Sequence, residues 1–384
     1  MSEAIKKRVK PDIRAITRLV PPEGNLVQGQ SELPIDPELA SMASKYITES
    51  FNHYGGSEGY GPLRDAVKQK VQAFNKVAFD NGESDLIITN GGTGALISYT
   101  ASFLRGKSAL VFEPYYPYHV RIIEHYGGKA EVFSLDSELR FNFEELREFC
   151  EKLIKRTEYP LEAIILCSPA NPTGKIFNIT ELEAIAEVAK GLGLTVVSDE
   201  VYEHFSTPAL RHISIASLEG MSDRTITVNS FSKSWNISGW RLGYAFGPQN
   251  IISKMNAANN VVYVCPATPL QAALSEVVMK NNDYYKWLAE SFLNKRTLAA
   301  EKLSKLGFRI YESGSTFYLW AKIPESFTDS VSFNELLMQK GGVGVTPGSA
   351  FADSELWDDW VRICIARTDD RLAGALERIE KVLS

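Results

Sequence analysis

From about residue 60 to 250 the chain alternates short β-type runs with helical stretches, and this alternation restricts its fold more than any other feature. The runs lie at 85–89, 108–112, 131–135, 163–167, 195–198, 225–229 and 242–246. Short apolar runs separated by helix-length segments predict an α/β domain, a mainly parallel sheet covered by helices. Sheets of this kind bind ligands beyond the carboxyl ends of their strands, so chemistry is expected in the segments just after each run. Past about residue 285 the pattern changes to a long charged helix at 283–306, strands at 308–311 and 317–321, and a terminal helix after Arg367. That pattern predicts a smaller α+β domain. The expected division is a large domain over 46–284 and a small one built from 1–45 and 285–384. Pro21-Pro22 and the stretch from Pro34 to Pro37 read as extended linker and turn.

Composition narrows the function classes. With 384 residues, 44% of them hydrophobic, the chain is long enough for two cores. A formal net charge of −6 argues against nucleic-acid binding, which needs clustered, uncompensated Lys and Arg. No apolar window reaches the ~20 residues that span a bilayer, and the basic start at 1–11 has no apolar stretch behind it, so a cytoplasmic protein is expected. Cys150, Cys167, Cys265 and Cys364 lie far apart with no zinc spacing and read as reduced thiols, with no metal expected.

Five segments at the expected strand ends carry groups suited to chemistry. Ser230-Phe-Ser-Lys233 precedes Gly239-Trp-Arg241-Leu-Gly243. A lysine in such a turn is ordinarily just solvated, but Ser230 and Arg241 beside it suit a phosphate, which guanidinium grips as a fork. Ser198-Asp-Glu-Val-Tyr202 places Asp199 where it either caps the next helix or faces a buried cation. Ser168-Pro-Ala-Asn-Pro-Thr-Gly174 is by itself a tight turn, from which Asn171 offers a side-chain donor. Asn90-Gly-Gly-Thr-Gly-Ala95, between a strand and an apolar helix, lets backbone N–H groups close around an anion, but lacks the ending of a nucleotide P-loop. Glu113-Pro-Tyr-Tyr-Pro-Tyr118 sets aromatics at the same edge, a hydrophobic rim on its plainest reading.

In order and spacing, these segments resemble the class I/II aminotransferases of the aspartate aminotransferase type, enzymes of fold type I that use pyridoxal 5′-phosphate (PLP). The resemblance runs from about Leu26 to Arg362. It implies a cofactor held as a Schiff base on Lys233, which then moves the substrate proton as the catalytic amine, with Asp199 at the ring nitrogen. Asn171 and Tyr202 would bond the phenolic oxygen, and Tyr116 would stack on the ring. Gly92, Thr93, Ser230, Arg241 and Tyr54 would form the phosphate cup, Tyr54 reaching it from the neighbouring subunit of a homodimer with shared sites. Arg362, otherwise a plain strand arginine, would grip the substrate α-carboxylate beside the backbone of Gly29 and the side chain of Asn171. After Gly29 the chain reads Gln30-Ser-Glu-Leu-Pro34, where many relatives carry an acidic residue and then Pro-Asp, and side-chain preference is open there. Arg14 and Arg18 are candidate lid residues; Tyr263 and Thr268 either contact substrate or pack in the core.

The implied activity is transfer of an amino group from an L-amino acid to a 2-oxo acid through a pyridoxamine phosphate form. The alternative is a PLP-dependent lyase, replacement or cyclising enzyme acting on an amino acid with a leaving group. A PLP-sensing regulator is disfavoured, because the resemblance starts by about residue 26 and leaves no room for a DNA-binding module.

Overall fold

The apolar runs pair into one sheet in the computed structural model, which describes residues 10–49, 51–79, 82–207, 210–279 and 282–384. Its strands are β1 (Ser84–Thr89), β2 (Ser108–Glu113), β3 (Lys129–Ser134), β4 (Leu161–Cys167), β5 (Thr195–Asp199), β6 (Thr225–Ser230) and β7 (Gly243–Pro248). They lie in the order β1-β7-β6-β5-β4-β2-β3. Only β7 runs against the rest, antiparallel to both β1 and β6. Every residue of β2, β6 and β7 is buried, as a strand covered on both faces requires, while the edge strand β3 exposes Lys129 and Ser134 at its ends.

Side chains alternate across the sheet and so feed two cores. Ala109 and Val111 face Ala95, Tyr99, Ile123 and Met255 on the helices Gly91–Phe103, Pro117–His125 and Gln249–Tyr263. Leu110 and Phe112 face the other way, toward Leu146, Leu153, Leu182 and Ile185 on Phe143–Ile154 and Ile179–Leu192.

A second, antiparallel sheet has the order β10-β11-β9-β8, formed by β8 (Arg309–Ile310), β9 (Tyr318–Lys322), β10 (Thr346–Pro347) and β11 (Trp360–Cys364). The N-terminal segment joins it through Leu26, whose N–H donates to Gly344 and whose carbonyl accepts from Cys364. Two expectations for that segment are corrected. Pro22–Gly24 is a 3-10 turn, because proline suits the first position of a helical turn; likewise Pro37 opens the helix Pro37–Thr48, which Asp36 caps by accepting from the Leu39 N–H at 2.9 Å. Of the basic start, residues 1–9 lie outside the described residues.

A buried polar network anchors the chain that follows β5. The helix Gly61–Lys70 continues into a π-turn, Val71–Asn75, and this brings Lys70 and Asn75 to one side. Lys70 pairs with Glu203 and donates to Asn75 at 3.0 Å, and Asn75 donates to Glu203 at 2.7 Å. Glu200 accepts from Ser198, Ser214 and His212, each at 2.9 Å. Residues 199 to 203 are thereby clamped from behind.

The network makes stability depend on pH. Burial pushes His204 down to about 3, so the folded protein keeps it neutral where the unfolded chain, at its ordinary value near 6.5, takes up a proton. Burial pushes Glu203 up, but the Lys70 ammonium outweighs it and holds the carboxyl at about 2, below the ~4.3 of the unfolded chain. In both cases the unfolded state binds more protons below its own pKa, so stability falls with falling pH, from about 6.5 for His204 and about 4.3 for Glu203. The limiting slope is about 1.4 kcal/mol per pH unit per group. Urea midpoints measured from pH 7 to 4 should fall, and a His204→Gln variant should fall less steeply; parallel curves would refute the role of His204.

Candidate active site

Six parallel strands end at one edge of the sheet, and β7, running backwards, begins there. Asp199 and Ser230 are the last residues of β5 and β6. They, the turn after β4, the helix start after β1, the tyrosines after β2 and Arg241 just before β7 surround a cavity of about 500 Å³. Gly29, Gly92, Thr93, Tyr116, Asn171, Asp199, Tyr202, Ser230, Lys233, Arg241 and Arg362 all line it. Tyr54 does not; its side chain is 86% exposed on the surface of the chain. Tyr263 and Thr268 are also outside the lining, and Thr268 instead donates to the His53 carbonyl at 2.9 Å.

Lys233 sits in the short helix Phe231–Ser234, whose cap is Ser230, accepting from the Ser232 N–H at 3.1 Å. Its amine donates to the Gly29 carbonyl at 2.7 Å and lies 5.6 Å from the Phe317 ring centre. Burial pushes the ammonium down to about 8, and the positive charges of Arg362 and Arg241 push the same way. The amine is therefore close to its titration point at neutral pH, where it can both accept and return a proton.

Asp199 is buried, and its Oδ2 lies 2.8 Å from His119 Nε2. Its other oxygen has only a long bond, 3.4 Å, from the Val201 N–H. A buried carboxylate so placed is suited to a cationic N–H in the cavity. Tyr116 holds its ring against Tyr118, stacked at 5.3 Å, and edge-on to His119.

At the other end, the helix Gly91–Phe103 opens with no side-chain cap, which leaves its first N–H groups free for an anion. Gly91 has φ +70, and a Cβ there would stand 2.6 Å from the Arg241 guanidinium. Glycine thus lets the helix start and the guanidinium share one cradle. Arg241, itself at φ 55, donates to the Ser238 carbonyl at 2.9 Å.

Arg362 in β11 is 3% exposed. It donates to Asn171 Oδ1 at 2.8 Å and to the Val27 carbonyl at 2.6 Å. Its guanidinium lies over the rings of Tyr318 and Phe351, at 4.4 and 4.9 Å. No carboxylate pairs with it among the described residues, and its Nε is buried without a partner. A buried cation in this state is a receptor for an anion. Because Asn171 accepts from Arg362, its amide nitrogen remains available to donate into the cavity.

The donor set fits PLP: an anion cradle at one end, a carboxylate for a ring N–H, an amine between them, and amide and phenol donors at the side. The helix Ile13–Leu19 adds Arg14 and Arg18 to the outer wall, beside Arg121. Three contributors were not foreseen from sequence. Phe317 and Tyr318, just before and at the start of β9, fall at the head of the expected strand 317–321, to which no site role attaches in the sequence, and His119 is the next residue after the aromatic motif ending at Tyr118.

Comparison with known proteins agrees with this geometry. The family model for aminotransferase class I and II matches residues 23–379. The aspartate aminotransferase of Pyrococcus abyssi is 32% identical, over 92% of this chain and 90% of that protein. A probable N-succinyldiaminopimelate aminotransferase of Mycobacterium tuberculosis is 30% identical, over 92% and 91%. Among solved structures, the N-succinyldiaminopimelate aminotransferase from Mycobacterium tuberculosis superposes with a TM-score of 0.90 at 28% identity, covering 100% of this chain and 99% of that one. The aromatic aminotransferase from Pyrococcus horikoshii gives 0.86 at 31%, covering 97% and 98%. Matched from the N-terminal segment to the last helix, this chain belongs to the class I and II aminotransferases and is a PLP-dependent transaminase of fold type I.

Proposed function

We propose that the cavity holds PLP with its phosphate between the start of the helix Gly91–Phe103 and Ser230 and Arg241. In this reading Asp199 meets the ring nitrogen, Tyr116 covers a ring face, and Asn171 and Tyr202 donate to the phenolic oxygen. When bound, PLP supplies an aldehyde and an electron-accepting ring, which together allow the α-C–H bond of an amino acid to break. Arg362 grips the α-carboxylate as a fork and so turns the α-hydrogen toward Lys233. Lys233 would be the group that takes that proton from the α-carbon and gives it back, the acid–base role that its place in the cavity allows. The observation that carries the reading is the pairing of two unusual cations in one cavity, Lys233 with its amine brought down to about 8 and Arg362 buried with no carboxylate partner among the described residues.

The outer wall bears on substrate choice. Arg18 and Arg121 line the cavity and make no hydrogen bond among the described residues, while Asp12 is occupied in capping its helix. This wall favours a substrate with a second anionic group. A homodimer belongs to the same reading: Tyr54 and Val261, 86% and 87% exposed, would be covered by a second copy, with Tyr54 delivered to its phosphate.

Absorbance of the PLP-loaded protein between about 300 and 500 nm, with single L-amino acids and no 2-oxo acid, tests the activity. Conversion of the visible band to a stable near-ultraviolet band is expected, at the lowest concentrations for amino acids carrying a second carboxylate. A visible band that returns while ammonia or a new 2-oxo acid accumulates would move the function to elimination.

A further inference from the structure

Tyr318, the first residue of β9, is 1% exposed yet lines the cavity. Its hydroxyl lies 2.9 Å from the hydroxyl of Tyr202, and its ring lies under the Arg362 guanidinium at 4.4 Å. In the β9–β11 register its direct partner is Cys364, so Arg362 sits diagonally across on the same face. The hydroxyl also abuts the substrate side: a Cβ on Gly29 would stand 1.9 Å from it, and the Gly29 carbonyl is the one that Lys233 holds.

This position is built, not incidental. Arg296 is buried and donates to Ser313 at 2.9 Å, to the Tyr318 carbonyl at 3.1 Å, and to the carbonyls of Ser315 and Thr316. Thr316 is held at φ 61 and accepts from the Tyr318 N–H at 3.2 Å. Ser315 donates to the Gly174 carbonyl at 2.6 Å and so ties the loop to the turn that carries Asn171. A buried arginine spent entirely on a hydroxyl and backbone carbonyls serves to fix that loop, and with it Tyr318.

We propose that Tyr318 is a positioning residue that donates its phenolic proton to Tyr202 and thereby leaves the Tyr202 proton pointing at the phenolic oxygen of the cofactor. The inference rests on the PLP reading above. Two phenols that share one hydrogen bond must divide the roles of donor and acceptor. The Arg362 charge over its ring makes Tyr318 the stronger acid of the two and hence the donor. Burial pushes Tyr318 up to about 12 and pushes Tyr202 up as well, and Arg362 draws both back, but only the Tyr318 ring lies under its guanidinium. The other titratable groups around Tyr318 are Cys364 and Arg367 from β11 and the residues beyond it, and Tyr116 across the cavity. Tyr202 accepting one proton and donating its own is a better donor than Tyr202 alone, because hydrogen bonds in a chain strengthen one another.

The test is the pH titration of the visible band in the PLP-loaded enzyme, for wild type, Tyr318→Phe, Tyr202→Phe and the double variant. A stronger donor to the phenolic oxygen lowers the apparent pKa of the band. Tyr318→Phe keeps the ring on Arg362 and should raise that pKa by about 0.5 to 1 unit, the size of one neutral hydrogen bond. Tyr202→Phe should raise it at least as far, and the double variant should match Tyr202→Phe, since Tyr318 acts only through Tyr202. A Tyr318→Phe enzyme that titrates like wild type, or a double variant whose shift is the sum of the two, overturns the assignment. A wild-type protein with no visible band at any pH would overturn the PLP reading instead, so the two failures are distinguishable.

Discussion

Replacing Lys233 with alanine should reduce transamination by at least ~10⁴-fold, the upper range for a single positioned acid–base group. The magnitude follows from the site. Lys233 is the cavity lysine, and its amine, at about 8, is the group poised to exchange a proton near neutral pH. Asp199 is engaged by His119, and the phenols of Tyr202 and Tyr318 are raised far above neutrality, so none of them substitutes as base. Lys233→Arg should be equally inactive, because a guanidinium stays protonated. The measurement is single-turnover conversion of an amino acid by PLP-loaded protein, paired with borohydride reduction. Reduction should attach the cofactor covalently to the wild-type chain and leave Lys233→Ala unmodified. Attachment in that variant, or turnover within tenfold of wild type, would remove Lys233 from the mechanism.

The second large effect is expected at Arg362. Truncating one side of a buried, hydrogen-bonded charge pair costs about 2–5 kcal/mol. Arg362→Ala should therefore lower kcat/KM for amino acids by roughly 30-fold to several thousand-fold. Arg362→Lys should recover little of this, since an ammonium has no fork to match a carboxylate and cannot lie flat between Tyr318 and Phe351. The control is a simple amine without a carboxylate, whose slow reaction should be unchanged by either substitution. Equal losses for both substrates would mean that Arg362 supports the structure of the site rather than the substrate. The folded protein should tolerate the alanine, because the change removes a buried cation that has no acid partner among the described residues.

Much of this protein was legible in one dimension. The seven strands of the main sheet were readable because a buried strand needs a short apolar run, and the runs at 85–89 and 163–167 leave no ambiguity about it. The segments lining the cavity were readable because an open α/β sheet presents its strand ends to ligand, and each segment follows a run or, like Arg241, immediately precedes one. Local rules failed only modestly, at Pro22 and Pro37, where proline opens a helical turn as readily as it ends one.

Tertiary structure decided the pairings across long stretches of chain. The reversed strand β7 delivers Arg241 to the helix start after β1, about 150 residues away, and no periodicity reports a strand's direction. His119 meets Asp199 across 80 residues, Tyr318 meets Tyr202 across 116, and Lys70 meets Glu203 across 133. Strand and turn preferences arise from interactions over a few residues, so a single sequence records them directly. A hydrogen bond between distant side chains depends on how whole layers pack, and only the folded chain specifies the few tenths of an ångström that make it.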